Sequence, residues 1–309
     1  MLPFVSIIIP VYNGSNYMKQ AIDSALEQTY RNIEIIVIND GSNDDGATER
    51  IALSYGDKIR YFVKENGGVS TALNTGIRNM RGEYFSWLSH DDVYAKDKIE
   101  KQVEAMQHQD EKTIILCNSD FIDENSNPLL LRKRRFSSAY FSWREAITYV
   151  TKNGANGCAF LIPKEAFDVA GLFDESLRYC QDIMMWWNIF LSGYSLSIIE
   201  TVGVHLRIHE RQITQTRADL YEKDAYYIGD IIPQKFAAIS TKQCNCLLEF
   251  AKAEAIRRHD KTVSGCIHTG RKAGVLSLRD ITMLRIVRMY GEVRPLIKKM
   301  YMNMVRIFS

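Results

Sequence analysis

The sequence predicts an α/β fold, in which a mostly parallel, doubly wound sheet is flanked by helices and followed by a helical C-terminal region. Two observations carry this prediction. Continuous β-branched runs such as Val5–Ile9 and Ile33–Ile38 are typical of parallel strands that are buried on both faces. Helical segments with one apolar face separate these runs, and strand, helix and strand in that order form right-handed βαβ units.

The individual elements follow from local patterns. The expected strands are Phe4–Pro10, Ile33–Ile38, Ile59–Val63, the apolar run that starts at Phe85, Ile114–Asn118, Gly157–Ile162 and Val202–Arg207, with a hairpin over Phe121–Leu131. The expected helices are Tyr17–Leu26, a short helix that is closed by Ile51–Tyr55, the segment after Gly68, Lys96–Met106, Lys164–Ala170, Ile183–Leu191, Leu220–Ile232, Thr241–Arg258 and Ile281–Phe308.

Charge is distributed unevenly along the 309 residues, which are enough for one large or two modest domains. The net charge of +2 favours no partner class, and no nucleic acid partner is expected. Residues 250–309, however, carry 13 Lys and Arg against 4 Asp and Glu. The basic helix over Ile281–Phe308 is either an interfacial amphipathic helix with peripheral membrane contact or a helix packed on its own domain.

The compartment is indicated by the cysteines and the N-terminus. The six cysteines form neither a CxxC pair nor a Cys/His zinc spacing, so free thiols in a reducing compartment are expected. The N-terminus has no signal-peptide pattern, and no run of about 18 apolar residues occurs in the chain. We therefore expect a cytoplasmic protein, with peripheral attachment to the inner face of the plasma membrane as a second option.

The adjacent carboxylates Asp91 and Asp92 directly follow the apolar run from Phe85. Burying unpaired carboxylates is costly, so the strand is expected to end where they begin. Ligands of open α/β sheets bind outside the carboxyl ends of the strands, and Mg²⁺ or Mn²⁺ takes oxygen ligands together with substrate phosphates. The pair is therefore either a metal site at the sheet edge or a plain turn that caps the next helix. This segment alone does not decide between them.

Two later segments carry candidate functional residues. Asp182 begins an almost entirely apolar helix, where it either caps the helix or serves as a carboxylate that accepts a proton, and both roles can hold. Arg207, His209 and Arg211 cluster after a strand, which suits phosphate contact. The basic run Arg132–Arg135 is either a solvated loop or a loop that touches an anionic acceptor.

Neither GxGxxG nor GxxxxGK[ST] occurs, which argues against a hydride-transferring Rossmann enzyme and a P-loop ATPase. In this order, the segments instead resemble family 2 glycosyltransferases with their GT-A fold, over roughly residues 4–215. The motifs that carry the resemblance are Ile9–Asn13, the acidic loop Asn39–Asp44, the glycine loop from Asn66 to Gly76, the DxD-type segment Ser89–Asp92, Gln181–Asp182 before a Trp-containing helix, and Arg207–His209 followed by Gln212 and Thr214.

The resemblance implies roles for individual residues. Asp182 would be the general base, and a Mn²⁺ or Mg²⁺ ion would be held by Asp91, Asp92 and His209. The residues that would bind the nucleotide-sugar are Pro10, Tyr12, Asn13, Asp40, Gly41, Ser42, Asn66, Gly68, Asn74, His90, Asp91, Arg207 and His209. The chain departs from the family pattern at Ser89, Gln181 and Leu73, where family members carry an acidic residue, Glu and, in many cases, Arg.

The resemblance further implies an inverting glycosyltransferase that moves a sugar from a nucleotide-diphosphate donor, a UDP-sugar, to a hydroxyl of a glycan or lipid-linked acceptor of a surface polysaccharide or glycolipid. Residues 1–95 would form the nucleotide-binding half, 96–215 the acceptor-binding half and 216–309 a basic helical region. An oligomer is compatible with the sequence. Two alternatives stay open: an inactive nucleotide-sugar binding or scaffold protein, and a sugar nucleotidyltransferase, for which Val11–Ser15 lacks the required phosphate loop.

Overall fold

The structure is a computed structural model that describes residues 2–130, 136–210, 218–240, 245–256 and 260–287. The chain divides into two compact units. The first comprises Met1–Ala146 and Ala155–Ala218, and the second comprises Ile147–Gly154 and Asp219–Ser309.

The first unit is built on one sheet. Its strands are β1 (Val5–Val11), β2 (Ile33–Asn39), β3 (Arg60–Val63), β4 (Tyr84–Trp87), β5 (Val93–Tyr94), β6 (Thr113–Ile122), β7 (Pro128–Leu129), β8 (Ala139–Phe141), β9 (Phe160–Pro163) and β10 (Ser195–Arg207). The helices of the chain up to this point are α1 (Met18–Leu26), α2 (Ala47–Leu53), α3 (Val69–Asn79), α4 (Lys98–Met106), α5 (Trp143–Asn153), α6 (Glu165–Ala170) and α7 (Gln181–Leu191).

The strand order is β3-β2-β1-β4-β9-β6-β10-β5, with β7 paired to β6 and β8 paired to β10. Strands β3, β2, β1 and β4 are mutually parallel, as are β6 and β10, whereas β9 runs antiparallel between β4 and β6. Because β1, β2 and β4 are parallel, their carboxyl ends meet at one edge of the sheet. The loops that follow these three strands contain most of the predicted donor-binding residues.

Burial explains why the parallel half forms. All seven residues of β1 are buried, which is the pattern of a strand covered by helices on both faces. Helix α3 approaches β1 closely because Gly76 has no side chain: a Cβ there would lie 2.4 Å from Cγ2 of Ile8. The predicted mixed α/β architecture is confirmed for the first unit.

Helix α5 and strand β10 differ from the sequence prediction, whereas the predicted hairpin agrees with it. Helix α5 was not predicted, because its Ile, Thr, Tyr and Val residues have modest helix propensity and obscure the helical period. The predicted strand Val202–Arg207 is the second half of β10, which begins at Ser195 and has register shifts between Ile198 and Val204. The predicted hairpin over Phe121–Leu131 is present as β6 and β7.

The second unit contains the C-terminal helices. They are α8 (Ala218–Ile239), α9 (Cys246–Ile256), α10 (Asp260–Lys272) and a helical segment over residues 278–287. Phe236 of α8 meets Phe250 of α9 edge to face, with ring centroids 5.5 Å apart. The remainder of the basic helix predicted over Ile281–Phe308 lies outside the described residues. In the described part of the chain, no helix has the length and apolar character needed to cross a bilayer.

Candidate active site

The loops after β1 and β2 interlock through short polar side chains. The amide of Asn13 donates to Oδ1 of Asn43 (2.7 Å) and accepts from the Asn43 N–H (2.8 Å), while the Asn13 N–H donates to Oγ of Ser42 (2.9 Å). Asn13 adopts a left-handed conformation (φ 50°), which asparagine tolerates better than most residues. Pro10 is buried within β1. Tyr12, in contrast, is 43% exposed at the mouth of these loops.

Asp40 organises the glycine loop. Its Oδ1 accepts from Nζ of Lys64 (2.6 Å) and from the Gly67 N–H (3.0 Å), and its Oδ2 accepts from the Gly68 N–H (2.7 Å). The side-chain amide of Asn66 donates to the Asp40 carbonyl (2.9 Å). The Asp40 carboxylate, predicted to bind the nucleotide-sugar, is therefore engaged by the protein, and it fixes the loop after β3 beside the loop after β2.

Two glycines are required in these loops by backbone conformation, and Gly41 is required by space as well. Gly41 (φ +68°) and Gly68 (φ +91°) lie in the left-handed region. A Cβ on Gly41 would lie 2.6 Å from the backbone nitrogen of Asn66, and a Cβ on Gly68 would lie 2.2 Å from Nη1 of Arg178. The Arg178 guanidinium also donates to the Gly67 carbonyl, so the segment ahead of α7 is tied to the glycine loop.

The Asn74 side chain contacts the 173–175 segment and not the predicted donor-binding loops. The side chain is buried, donates to the Phe173 carbonyl (2.9 Å) and to Oε1 of Glu175 (2.8 Å), and accepts from the Phe173 N–H (2.9 Å). This amide therefore fastens the 173–175 segment to α3 rather than facing the loops. The donor contact predicted for Asn74 gains no support from this placement.

Asp91 and His209 form the central pair of the site. Oδ2 of Asp91 lies 3.2 Å from Nε2 of His209, and the two side chains are only 18% and 10% exposed. Burial alone would raise the pKa of Asp91. The hydrogen bond with His209 is the largest of the interactions that outweigh burial and hold the pKa of Asp91 below its usual value. The pair presents a carboxylate oxygen and an imidazole nitrogen at one point of the sheet edge.

Asp92 is turned away from this pair. Its Oδ1 accepts from the Arg207 N–H (2.9 Å), and its Oδ2 accepts from the Cys158 thiol (3.5 Å). Burial, reinforced by the charge of Asp91, raises the pKa of Asp92 to about 8. Ser89 also contacts Cys158, through both its N–H (3.3 Å) and its hydroxyl (3.4 Å). Asp92 therefore supports the turn, and its geometry does not favour the metal contact predicted for it.

Arg207 is the largest departure from the predicted roles. The residue is 1% exposed, and its guanidinium donates hydrogen bonds to other parts of the protein. The acceptors are the carbonyls of Asp91 (2.8 Å), Asp123 (2.9 Å) and Glu124 (3.2 Å), Oγ of Ser126 (3.0 Å) and Oε1 of Gln20 (2.7 Å). The predicted phosphate contact of Arg207 is therefore corrected to a structural role: its guanidinium joins four segments of the chain.

Tyr17 and Lys64 are functional candidates that the sequence analysis missed. The Tyr17 ring contacts both Arg207 and His209: its centroid lies 4.5 Å from the Arg207 guanidinium and 5.1 Å from the His209 ring centroid. In the sequence, Tyr17 is one of several apolar residues at helical spacing, so no local pattern indicates a functional role for it. Lys64 could have been found, because it follows β3 at the same edge where Asp40 follows β2.

His90 connects the DxD-type segment to the end of β1. Its ring leaves no room for a side chain on Gly14, where a Cβ would lie 2.7 Å from Cδ2 of His90. Burial lowers the pKa of His90 and favours the neutral ring. His90 therefore lies at the contact between two of the predicted donor-binding loops.

Asp182 lies in the first turn of α7, where its Oδ1 accepts from the Ile183 N–H (2.7 Å). Burial raises the pKa of Asp182 to about 6. Phe173 contacts both Trp87 of β4 and Trp186 of α7, each at 6.1 Å between ring centroids. Helix α7 is thereby packed against the strand that leads to Asp91.

Several predicted contacts cannot be placed. Arg211, Gln212 and Thr214 lie outside the described residues, as does the basic run Arg132–Arg135. Among the described residues, no group of three or more His, Cys, Asp or Glu side chains converges as a metal site.

Comparison with known proteins identifies the family. The model of glycosyl transferase family 2 matches residues 6–170, which is more than half of the chain. An uncharacterized glycosyltransferase of Rickettsia typhi is 50% identical over 231 residues, which cover 74% of this chain and 71% of that protein. The chain belongs to glycosyl transferase family 2. A relative from Rickettsia conorii is 51% identical over 209 residues, and this match spans only 34% of that relative's length.

Solved structures show the same fold. Residues 1–349 of S. aureus TarS in complex with UDP-GlcNAc match with a TM-score of 0.65 at 14% identity, covering 93% of this chain and 89% of that one. The same segment in complex with UDP matches with a TM-score of 0.57 at 16% identity, covering 94% and 91%. The predicted GT-A fold is confirmed by these likenesses, which at such identities concern the fold alone.

The structural role of Arg207 predicts a stability effect. Arg207→Lys should lower the free energy of unfolding by about 3 kcal/mol, because one ammonium cannot replace the buried, forked contacts of a guanidinium. Urea unfolding measures this change, and the exposed Arg31→Lys should change it by less than about 0.5 kcal/mol. If Arg207→Lys unfolds like the wild type but binds nucleotide more weakly, Arg207 contacts the ligand instead.

Proposed function

We propose that this family 2 glycosyltransferase moves a sugar, with inversion at the anomeric carbon, from a UDP-sugar to a hydroxyl of a glycan or lipid-linked acceptor in surface polysaccharide or glycolipid synthesis. One observation carries the proposal: Asp91 and His209 meet at 3.2 Å at the carboxyl end of β4. This edge is where open α/β sheets bind their ligands. The TarS structures, which share the fold, are described as complexes with UDP-GlcNAc and UDP.

The residues at this edge fit a divalent cation. A carboxylate oxygen and an imidazole nitrogen form a donor set that suits Mn²⁺ better than Mg²⁺, which prefers oxygen ligands. Asp91 and His209 would hold the ion, while Asp92 keeps the turn in place. When bound, the ion would neutralise the charge that develops on the departing diphosphate. Two protein ligands leave coordination positions for diphosphate oxygens.

Donor binding is assigned to the three interlocked loops. The exposed ring of Tyr12 offers an apolar face for the base, and its hydroxyl donates to Oδ1 of Asn43 (3.3 Å) in the loop after β2. Asp40 and Lys64 keep the glycine loop close to this position. In this proposal, residues 1–95 serve the nucleotide and 96–215 serve the acceptor.

Asp182 is assigned as the general base. A single displacement at the anomeric carbon needs one carboxylate that accepts the proton of the attacking hydroxyl. Burial raises the pKa of Asp182 to about 6, so the group is ionised at neutral pH and is a stronger base than an ordinary carboxylate. The contact from Arg178, three residues ahead of α7, to the Gly67 carbonyl supports this assignment, because it ties the segment before the helix start to the glycine loop.

Two variants should separate binding from turnover. Asp91→Asn should abolish Mn²⁺-dependent UDP binding, because it weakens the cation site. Asp182→Asn should bind UDP like the wild type but release it from UDP-sugars at least about 100-fold more slowly, because the base is lost. Calorimetry and UDP release across a panel of UDP-sugars and acceptors measure both quantities.

The exposed Asp168→Asn is the matched control and should behave like the wild type in both assays. If the wild type binds no nucleotide with either metal, the scaffold alternative replaces this proposal. If Asp182→Asn retains full turnover, the base lies elsewhere.

The base assignment also predicts a pH dependence. A carboxyl whose pKa is raised to about 6 is protonated below that pH and can no longer accept a proton. At saturating donor and metal, kcat should be half-maximal near pH 6 and fall about tenfold for each unit below it. A midpoint near pH 4, or a flat profile down to pH 5, would count against Asp182.

A further inference from the structure

The second unit contains a cavity of about 630 Å³ between α10 and the 278–287 helix. Its walls come from two adjacent stripes of α10 and from one turn of the next helix. The lining residues are Val263, Ser264, Ile267, His268, Arg271, Lys272, Leu284 and Arg285. The α10 residues recur at intervals of four, so one helix face forms most of the wall.

The turn between these two helices is well defined. The Gly270 carbonyl accepts from the N–H groups of Val275 (2.9 Å) and Leu276 (3.2 Å), which closes the end of α10. Ser277 and Asp280 then form a reciprocal cap: the Ser277 N–H donates to Oδ2 of Asp280 (2.9 Å), and the Asp280 N–H donates to Oγ of Ser277 (3.2 Å). The cavity is therefore held by a fixed helical hairpin.

The floor and the rim of this cavity differ in chemistry. Val263 and Leu284 are buried and form an apolar floor. Arg271, Lys272 and Arg285 stand on the exposed rim, and among the described residues no acidic side chain lines the cavity. No ion pair joins these three cations to an acidic residue in the described part of the chain. Three cations over an apolar floor suit an anion that is attached to a hydrocarbon group.

The neighbouring surface is also apolar. Leu278 and Ile286 are 80% and 60% exposed. Arg285 and Ile286 follow Leu278 by seven and eight residues, which places both on the side of the 278–287 helix that carries Leu278. Exposed large apolar side chains beside a basic site are typical of surfaces that bind a membrane interface.

We infer that this cavity binds the phosphate headgroup of an anionic membrane lipid, with Arg271, Lys272 and Arg285 contacting the phosphate and Leu278 and Ile286 entering the interface. The inference goes beyond the transfer reaction and does not rest on it, because lipid binding is measured without a donor. The basic C-terminal sequence gave peripheral membrane contact as one of two alternatives. The inference names the specific site that would make this contact.

Vesicle flotation of the full chain tests this site. The wild type should float with phosphatidylcholine vesicles that contain about 30 mol% phosphatidylglycerol, and not with phosphatidylcholine alone. Arg271→Gln combined with Arg285→Gln should weaken the partition about tenfold or more, since each cation near an anionic surface contributes to binding. Both changes are at exposed positions, so circular dichroism should report an unchanged helix content.

The matched control removes two cations of the same unit outside the cavity. Arg279→Gln combined with Lys235→Gln changes the net charge equally at exposed positions and should leave the partition within about twofold of the wild type. An equal loss in both double variants would mean diffuse attraction and would overturn the site. Leu278→Ser combined with Ile286→Ser should weaken flotation without changing the protein's net charge.

A competition arm separates a lipid from a free anion. We compare millimolar inorganic phosphate with sodium chloride at the same ionic strength. If sodium chloride leaves the wild type bound to anionic vesicles, phosphate should leave it bound as well. Release by phosphate alone would indicate a site for a soluble phosphate, and the absence of flotation in any anionic mixture would also contradict the inference.

Discussion

The buried guanidinium of Arg207 is the interaction on which the rest of the site depends. The guanidinium donates to the Asp91 carbonyl, to the turn at Asp123–Glu124 and to Gln20 of α1. The backbone N–H of Arg207 donates to the Asp92 carboxyl group. A buried charge must find acceptors, so its presence forces these separate segments to converge. The end of β10 is fixed to the turn after β4 in this way, and His209, two residues further on, reaches Asp91. The geometry of the proposed metal pair thus follows from a residue that is not expected to touch the metal.

Parallel strand order provides the second constraint. Because β1, β2, β3 and β4 end at one edge, their polar loops must share one space, and each carboxylate there has to be satisfied. Asp40 is satisfied by Lys64 and two backbone N–H groups, and Asp92 by Arg207 and Cys158. Asp91, in contrast, is paired with His209. Asp40 and Asp92 therefore hold loops in place, and Asp91 is the carboxylate to which our proposal assigns the cation.

The sequence was sufficient where the signal was local. Buried β-branched runs predicted β1 and β2, and the abrupt change from an apolar strand to carboxylates located the turn that carries Asp91. It was insufficient where a role depends on distant acceptors. Nothing near Arg207 in the chain shows that its acceptors come from residues 20, 91 and 123–126, and nothing near Asn74 shows that its amide meets Phe173. Whether a polar residue of a family motif contacts a ligand or another part of the protein can therefore be decided only when the fold is known.

The claim that Asp91 and His209 form a cation site is tested most directly by electron paramagnetic resonance of bound Mn²⁺. With UDP present, the account predicts that electron spin-echo modulation shows coupling to one imidazole nitrogen together with the ³¹P coupling of the diphosphate. His209→Gln should remove the nitrogen coupling and keep the phosphorus coupling. A spectrum with phosphorus coupling but no nitrogen coupling in the wild type would contradict the account, because the ion would then be held without His209.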